Sequence, residues 1–307
     1  MNQAAKSNYK GCHCGSRDNR YGYFAGCTIP ARLNSYELSS RKVLNRLGVE
    51  LVNLEGASCC GMPLERVDHE SHMFMVSKVL AEAERQELDI LTLCSGCFGS
   101  LSRGAAYLTS HQEEWKKMNE SLGEFNLQYR GIAQVRHLIQ ILYEDVGPAR
   151  IRSQVKRDLG KLRVAAHYGC HPLKPHDIVK FDDPEEPKSL DELISATGAD
   201  SVEYKDKLQC CGSPILAADE GLAMKIAKTK LDNIKAANVD AIVTICPFCE
   251  LMLDGMQIVI GDKFKENYGI PALFLPQLIG LAMGIEPVDL GINMNKVSAE
   301  NLLSRIA

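Results

Sequence analysis

Ten of the twelve cysteines in this 307-residue chain fall into two copies of one pattern: a lone cysteine, an adjacent pair followed by glycine, and a Cys-x-x-Cys. The first copy is Cys27, Cys59 and Cys60 with Gly61, then Cys94 and Cys97; the second is Cys170, Cys210 and Cys211 with Gly212, then Cys246 and Cys249. Separations of 31 and 33 residues in the first copy answer 39 and 34 in the second, so duplication is the simplest account. Each copy draws five thiolates from three chain segments toward one centre, and metal-cluster binding is the chemistry that uses them together. A cubane iron-sulfur cluster takes four thiolates, usually from a compact run. Five, two of them adjacent with side chains pointing apart, suit neighbouring irons or a thiolate bridging two irons. Gly61 and Gly212 carry no Cβ, which lets backbone amides come close to sulfur.

Competing chemistries are available to parts of the pattern. Two Cys-x-x-Cys pairs can form a four-thiolate zinc site, and a single pair can act as a thioredoxin-type nucleophile and resolving thiol. Both leave the Cys-Cys-Gly elements and the lone cysteines without a task. A disulfide scaffold needs an oxidising compartment, whereas the N-terminus MNQAAKSNYKGCHCG has no apolar core of the signal-peptide kind. The expected location is the cytoplasm. No run of about 18 apolar residues occurs, so no membrane span is expected. A net charge of −4 offers no basic stripe for phosphates and argues against nucleic-acid binding.

The elements that must position these thiols alternate in type. Tyr21 to Gly26, Val49 to Leu54 and Leu88 to Leu93 read as strands, as do Leu162 to Tyr168, Ser201 to Tyr204 and Asp240 to Ile245. Helical spacing marks Ser35 to Leu47, Asp68 to Gln86, Leu190 to Ala196 and Pro214 to Ala237. Such alternation predicts an α/β fold: two homologous small parallel-sheet units related by a pseudo-two-fold axis, with the cysteines at the carboxyl ends of the strands. Cys94 and Cys246 would then open helices, where exposed N–H groups and the positive dipole end stabilise anionic sulfur; Pro247 suits a first helical turn. The expected division is an N-terminal extension over 1–20, a first unit over 21–145 including a helical connector from Ser102 onward, and a second unit over 146–307. The apolar stretch Leu273 to Ile285 reads as a buried helix or an interface between subunits. Cys12-His13-Cys14 belongs to neither copy, and reads as a metal or partner site or as an idle extension.

FAGC-TIPAR around Cys27, EGASCCG ending at Gly61, CSGCFGSL from Cys94, YGCHPLKP around Cys170, CCGSP from Cys210 and CPFCELML from Cys246 together resemble the B subunit of heterodisulfide reductase, a family built on a duplicated CCG domain. The resemblance spans Tyr21 to about Glu286. It implies that each five-cysteine set binds one non-cubane [4Fe-4S] cluster, described as fused [3Fe-4S] and [2Fe-2S] parts. It implies that a small mixed disulfide, of the coenzyme M–coenzyme B type, is cleaved between the two clusters. It implies that a ferredoxin-like iron-sulfur C subunit and a flavin-containing A subunit supply the electrons, with a hydrogenase or formate dehydrogenase behind them. The chain itself has neither a ferredoxin cysteine run nor a GxGxxG fingerprint. His171 and Lys174, beside Cys170, are the candidate proton donors; Gly61, Gly212, Phe98 and Phe248 are expected against the clusters. Arg32 and Arg66 are candidates for attracting an anionic thiol. A sulfur-oxidation relative, or an electron-transferring component of a lactate, glycolate or succinate oxidising complex, are the alternative functions.

Overall fold

The computed structural model describes residues 19–160 and 162–306; Cys12, His13 and Cys14 lie outside them. Two four-stranded sheets, all parallel, carry the same strand order. The first runs β2-β1-β3-β4, with β1 at Arg20–Phe24, β2 at Glu50–Asn53, β3 at Asp89–Thr92 and β4 at Val135–His137. The second runs β6-β5-β7-β8, with β5 at Arg163–His167, β6 at Asp200–Ser201, β7 at Ala241–Thr244 and β8 at Ala272–Phe274. In both, each new strand pairs in parallel across a helical crossover, and β1, β3, β5 and β7 are buried along most of their length. That burial explains why these strands read as apolar runs rather than as alternating ones.

Repetition extends to the devices that start the helices. Asp68 accepts a hydrogen bond from the Ser71 N–H at the head of helix His69–Arg85, and Asp219 accepts one from Leu222 at the head of Glu220–Ala236. After the fourth strand of each sheet a glutamine folds back onto the strand end. Gln140 Oε1 takes the His137 N–H at 2.8 Å, and Gln277 Oε1 takes the Phe274 N–H at 2.9 Å.

The fourth strands add an element to each unit that the sequence reading has as helical. The segment after Ser102 is not a purely helical connector: β4 lies in it and pairs with β3 from Ile90↔Val135 to Thr92↔His137. Likewise the apolar stretch from Leu273 is a strand before it is a helix, Leu275–Ala282, every residue of which is buried within this chain. Both strands are three residues long, too short for period-two alternation to show. Arg20 already belongs to β1.

The two units interlock through exchanged partners. The helix Asn34–Arg46 of the first unit packs on Leu275–Ala282 of the second, and the helix Ser189–Ser195 of the second packs on the π-helical turn Ile141–Val146 of the first. At the first junction Tyr36 stacks on Phe274 with ring centroids 3.8 Å apart and planes 6° from parallel. Its hydroxyl donates to the Ile245 carbonyl at 3.1 Å. Across the second, Tyr143 donates to Glu192 at 3.0 Å.

Candidate metal centre

Each cysteine stands where its unit's topology places it, at or beyond the carboxyl end of a strand. Cys27 follows β1 and Cys170 follows β5, both exposed. The adjacent pairs sit in the loops after β2 and β6, and each is followed by a glycine in the left-handed region, Gly61 at φ 76° and Gly212 at φ 89°. A Cβ at Gly61 would stand 2.8 Å from the His72 ring, and one at Gly212 would stand 2.6 Å from the Ala223 carbonyl oxygen. Glycine is therefore required at both positions for conformation and for space. Cys94 caps helix Ser95–Ser110, its sulfur accepting from the Cys97 N–H at 3.5 Å, and Cys246 precedes helix Pro247–Leu253 with Pro247 in the first turn.

The thiols form one continuous line. Cys59 touches Cys60, Cys60 touches Cys97, and Cys97 touches Cys94; on the other side Cys210 touches Cys211, Cys211 touches Cys249, and Cys249 touches Cys246. Cys94 and Cys246 close the line by hydrogen-bonding contact across the boundary between the units. Cys27 and Cys170 stand within electrostatic reach of their own pairs. Three sulfurs each accept hydrogen bonds from two neighbouring thiols and so ionise first. Donation by Cys59 and Cys97 pulls Cys60 down to about 3, donation by Cys210 and Cys249 pulls Cys211 well below the usual thiol range, and donation by Cys249 and Cys94 does the same for Cys246.

The donor set fits iron-sulfur binding. All ten cysteines are free, and the glycines before the lone cysteines keep space open over sulfur. A Cβ at Gly26 would lie 3.0 Å from Cys97 Sγ, and one at Gly169 would lie 3.6 Å from Cys249 Sγ. Beside Cys211 and Cys249, the ring of His167 is 1% exposed, and neither of its nitrogens has a hydrogen-bond partner of good geometry. The ring still helps to lower the Cys211 thiol, so two thiols and an imidazole are gathered at one buried point, a donor set of the kind that holds a metal group.

The other expected residues divide. His171 of the second unit lies over Gly99 of the first, 3.0 Å from the position a Cβ would take there, and Phe248 lies over Gly96 at 3.6 Å; both cross the boundary next to the Cys94–Cys97 loop. Burial, and secondarily the charge of Arg103, lowers the pKa of His171. Phe98 is buried and meets His137 edge-on at 5.7 Å. Lys174 is instead exposed and pairs with Glu185 at 3.0 Å. Arg66 lines a groove of about 510 Å³ together with Glu65, His69, His72, Arg103 and Tyr107, while Arg32 is exposed and not part of that lining.

Three polar groups near the sulfurs escape the sequence reading. His137 ends β4 and is fully buried; its Nδ1 accepts from the Ile139 N–H and its Nε2 meets the Ser95 hydroxyl at 3.3 Å. Glu250 follows Cys249, is buried, accepts from Thr244 at 2.6 Å, and is pushed up to about 8 by burial and then by the charge of Asp254. Lys230 is 1% exposed. Its signal lies in its spacing: Lys230 falls on the apolar stripe Ala223, Ala227, Leu231 and Ile234 of its helix.

A family model for the CCG cysteine-rich domain matches residues 21–102 and again 164–254. Over 94% of its length the chain is 40% identical to a protein of Methanosarcina mazei named as the B subunit of ferredoxin:CoB-CoM heterodisulfide reductase, 97% of which is covered. The chain belongs to the duplicated CCG-domain family of the heterodisulfide reductase B subunit. Within this CCG family it is also 32% identical, over 92% of this chain and 98% of the other, to a Wolinella succinogenes protein named 8-methylmenaquinol:fumarate reductase membrane anchor subunit. Among the described residues no helix is long and apolar enough to cross a membrane. The CCG architecture also matches a solved structure, a hypothetical protein from Helicobacter pylori, with a TM-score of 0.72 at 15% identity. The match covers 91% of this chain and 52% of that one, a likeness of fold alone.

Proposed function

We propose that this chain is the disulfide-cleaving component of a multi-subunit heterodisulfide reductase. It would hold one non-cubane [4Fe-4S] cluster on Cys27, Cys59, Cys60, Cys94 and Cys97 and a second on Cys170, Cys210, Cys211, Cys246 and Cys249. The contact between Cys94 and Cys246 carries this reading, because it joins two sets of sulfur ligands into one site at the boundary of the units. When bound, two such centres supply two electrons at one place, the number a disulfide needs to become two thiols.

The chain's own residues then shape access and protonation. Gly26 and Gly169 keep Cβ atoms away from the Cys97 and Cys249 sulfurs. His171, half-buried at the junction, holds a proton acceptor and donor within the site, and we assign it ahead of Lys174, which Glu185 engages at the surface. The groove lined by Arg66 and His69 is the proposed seat for the anionic tail of a mixed disulfide of the coenzyme M–coenzyme B type. Electrons would come from a ferredoxin-like C subunit and a flavin-containing A subunit, fed by a hydrogenase or formate dehydrogenase.

The relative from Wolinella succinogenes supports one other reading, an electron-transferring or anchoring role. Anoxically purified protein, supplied with a low-potential dye and a mixed disulfide, separates the two. Stoichiometric release of both thiols supports the proposal. Dye oxidation only when a partner protein and a non-sulfur acceptor are added would support the relay.

A further inference from the structure

A positive charge is fully buried beside the second cysteine set, whereas the matching position beside the first is apolar and the nearest lysine there is only half-buried. Lys230 Nζ donates to the carbonyls of Asp206 at 2.5 Å and Lys207 at 3.0 Å, and lies 5.4 Å from the centre of the Tyr204 ring. Those carbonyls belong to the segment leading into Cys210 and Cys211. The sulfurs of Cys249, Cys211 and Cys210 all lie within electrostatic reach of the ammonium. Burial lowers its pKa to about 8, opposed by those sulfurs, so the group carries its charge at neutral pH.

Counting from the capping residues Asp68 and Asp219, the matching position in the first unit is Val79, fully buried. Near the first set stand Lys78, only half-buried and donating to the Gly56 carbonyl at 2.6 Å, and Arg103, which Glu65 neutralises through two hydrogen bonds of 3.0 and 2.7 Å. His72, close to Cys60, is held by the Ser100 hydroxyl at 2.9 Å. The ends of the first strands also differ, Phe24 closing β1 where His167 closes β5.

We propose that Lys230 raises the reduction potential of the cluster held by the second cysteine set above that of the first, making two otherwise similar centres electronically unequal. This rests on the two-cluster reading above. Reduction adds one negative charge to a centre, and a buried cation favours the more negative state through an interior that screens poorly. Reducing equivalents would therefore collect at the second set before both are filled, which orders the delivery of two electrons to one substrate.

The test uses the full chain, purified anoxically with its iron and sulfide, and titrates both centres by electron paramagnetic resonance. Two variants are compared with wild type: Lys230→Met, which removes charge and donor, and Lys230→Gln, which keeps an N–H donor for the carbonyls without the charge. Expected are two distinct midpoints in wild type, with the higher one falling in both variants and the lower one unmoved at unchanged iron content. Iron-replete variants with both midpoints unmoved, or both displaced together, overturn the proposal. So does a Gln variant that titrates like wild type, or loss of half the iron in both variants, since Lys230 would then be holding the loop. The iron content of wild type reports separately on the underlying reading: about four irons instead of about eight would sink that reading without reference to Lys230.

Discussion

Cys94 and Cys246, equivalent residues of two repeated units, meet thiol to thiol across the boundary between them. Each opens the helix after the third strand of its own sheet, so the contact joins the carboxyl ends of β3 and β7. The adjacent pairs, Cys59–Cys60 and Cys210–Cys211, flank this central contact on opposite sides. The line of sulfurs is thus symmetric in its thiols and asymmetric in its surroundings.

Iron content should follow the two sets separately. Wild-type protein is expected to carry about eight irons and eight sulfides per chain. Cys60→Ser and Cys211→Ser should each reduce iron to about half, because each buried sulfur is in contact with its partner and with the Cys-x-x-Cys loop. Cys12→Ser and Cys14→Ser should leave it unchanged. Chemical iron analysis decides, and stoichiometric zinc with only about four irons would mean that one set is a zinc site.

Gly61→Ala and Gly212→Ala should destabilise the protein, each by at least about 1–2 kcal/mol from the left-handed backbone alone. Gly212→Ala should cost more, since its Cβ would press on a backbone oxygen while that of Gly61 would meet a side chain. Gly123, at a helix end with nothing within 4 Å of an added Cβ, is the control, and Gly123→Ala should be neutral or slightly stabilising. Urea denaturation of the metal-free chain measures all three.

Removing the Tyr36 hydroxyl isolates one bond between the units. Tyr36→Phe should cost about 1 kcal/mol through the lost donation to the Ile245 carbonyl, while keeping the stack on Phe274. Tyr36→Ala should cost roughly 3–5 kcal/mol. Equal losses in the two variants would show that the stack contributes nothing.

His137 predicts a pH dependence. Burial lowers its pKa from 6.5 to about 4, so the unfolded chain binds its proton more readily than the folded one. The corresponding stability is complete above pH 6.5 and is lost as pH falls toward 4, about 2 kcal/mol of it by pH 5. His137→Gln should flatten that part of the stability profile in denaturant melts at pH 7 and pH 5. An unchanged slope would place the proton elsewhere.

Among the described residues six of the eight strands, and the placing of the ten patterned cysteines beyond strand ends, were legible in the sequence, because buried parallel strands leave apolar runs. β4 and β8 were not, since Val135–His137 and Ala272–Phe274 are three residues each, the first in a polar setting and the second merged with the helix that follows. The thiol pattern announced two centres but not that Cys94 would touch Cys246, a relation fixed by the exchanged helix packing. Lys230 was hidden for a different reason: a lysine ordinarily signals a solvated face, and only its place on an apolar stripe betrays it. Lys174, by contrast, was chosen for nearness in sequence to Cys170, and its side chain points instead to Glu185.

The exchanged helices also bear on how such a chain could arise. A single unit leaves uncovered the face that the helical segment after its sibling's fourth strand occupies, so an ancestor of one unit would have had to find a second identical molecule by diffusion. Covalent fusion makes the meeting independent of protein concentration. It also frees the halves from identity: in a homodimer every substitution appears twice, whereas here Lys230 and Val79, or His167 and Phe24, diverge at matching positions. Joining the genes end to end is what allowed one molecule to treat its two sulfur-lined sites differently.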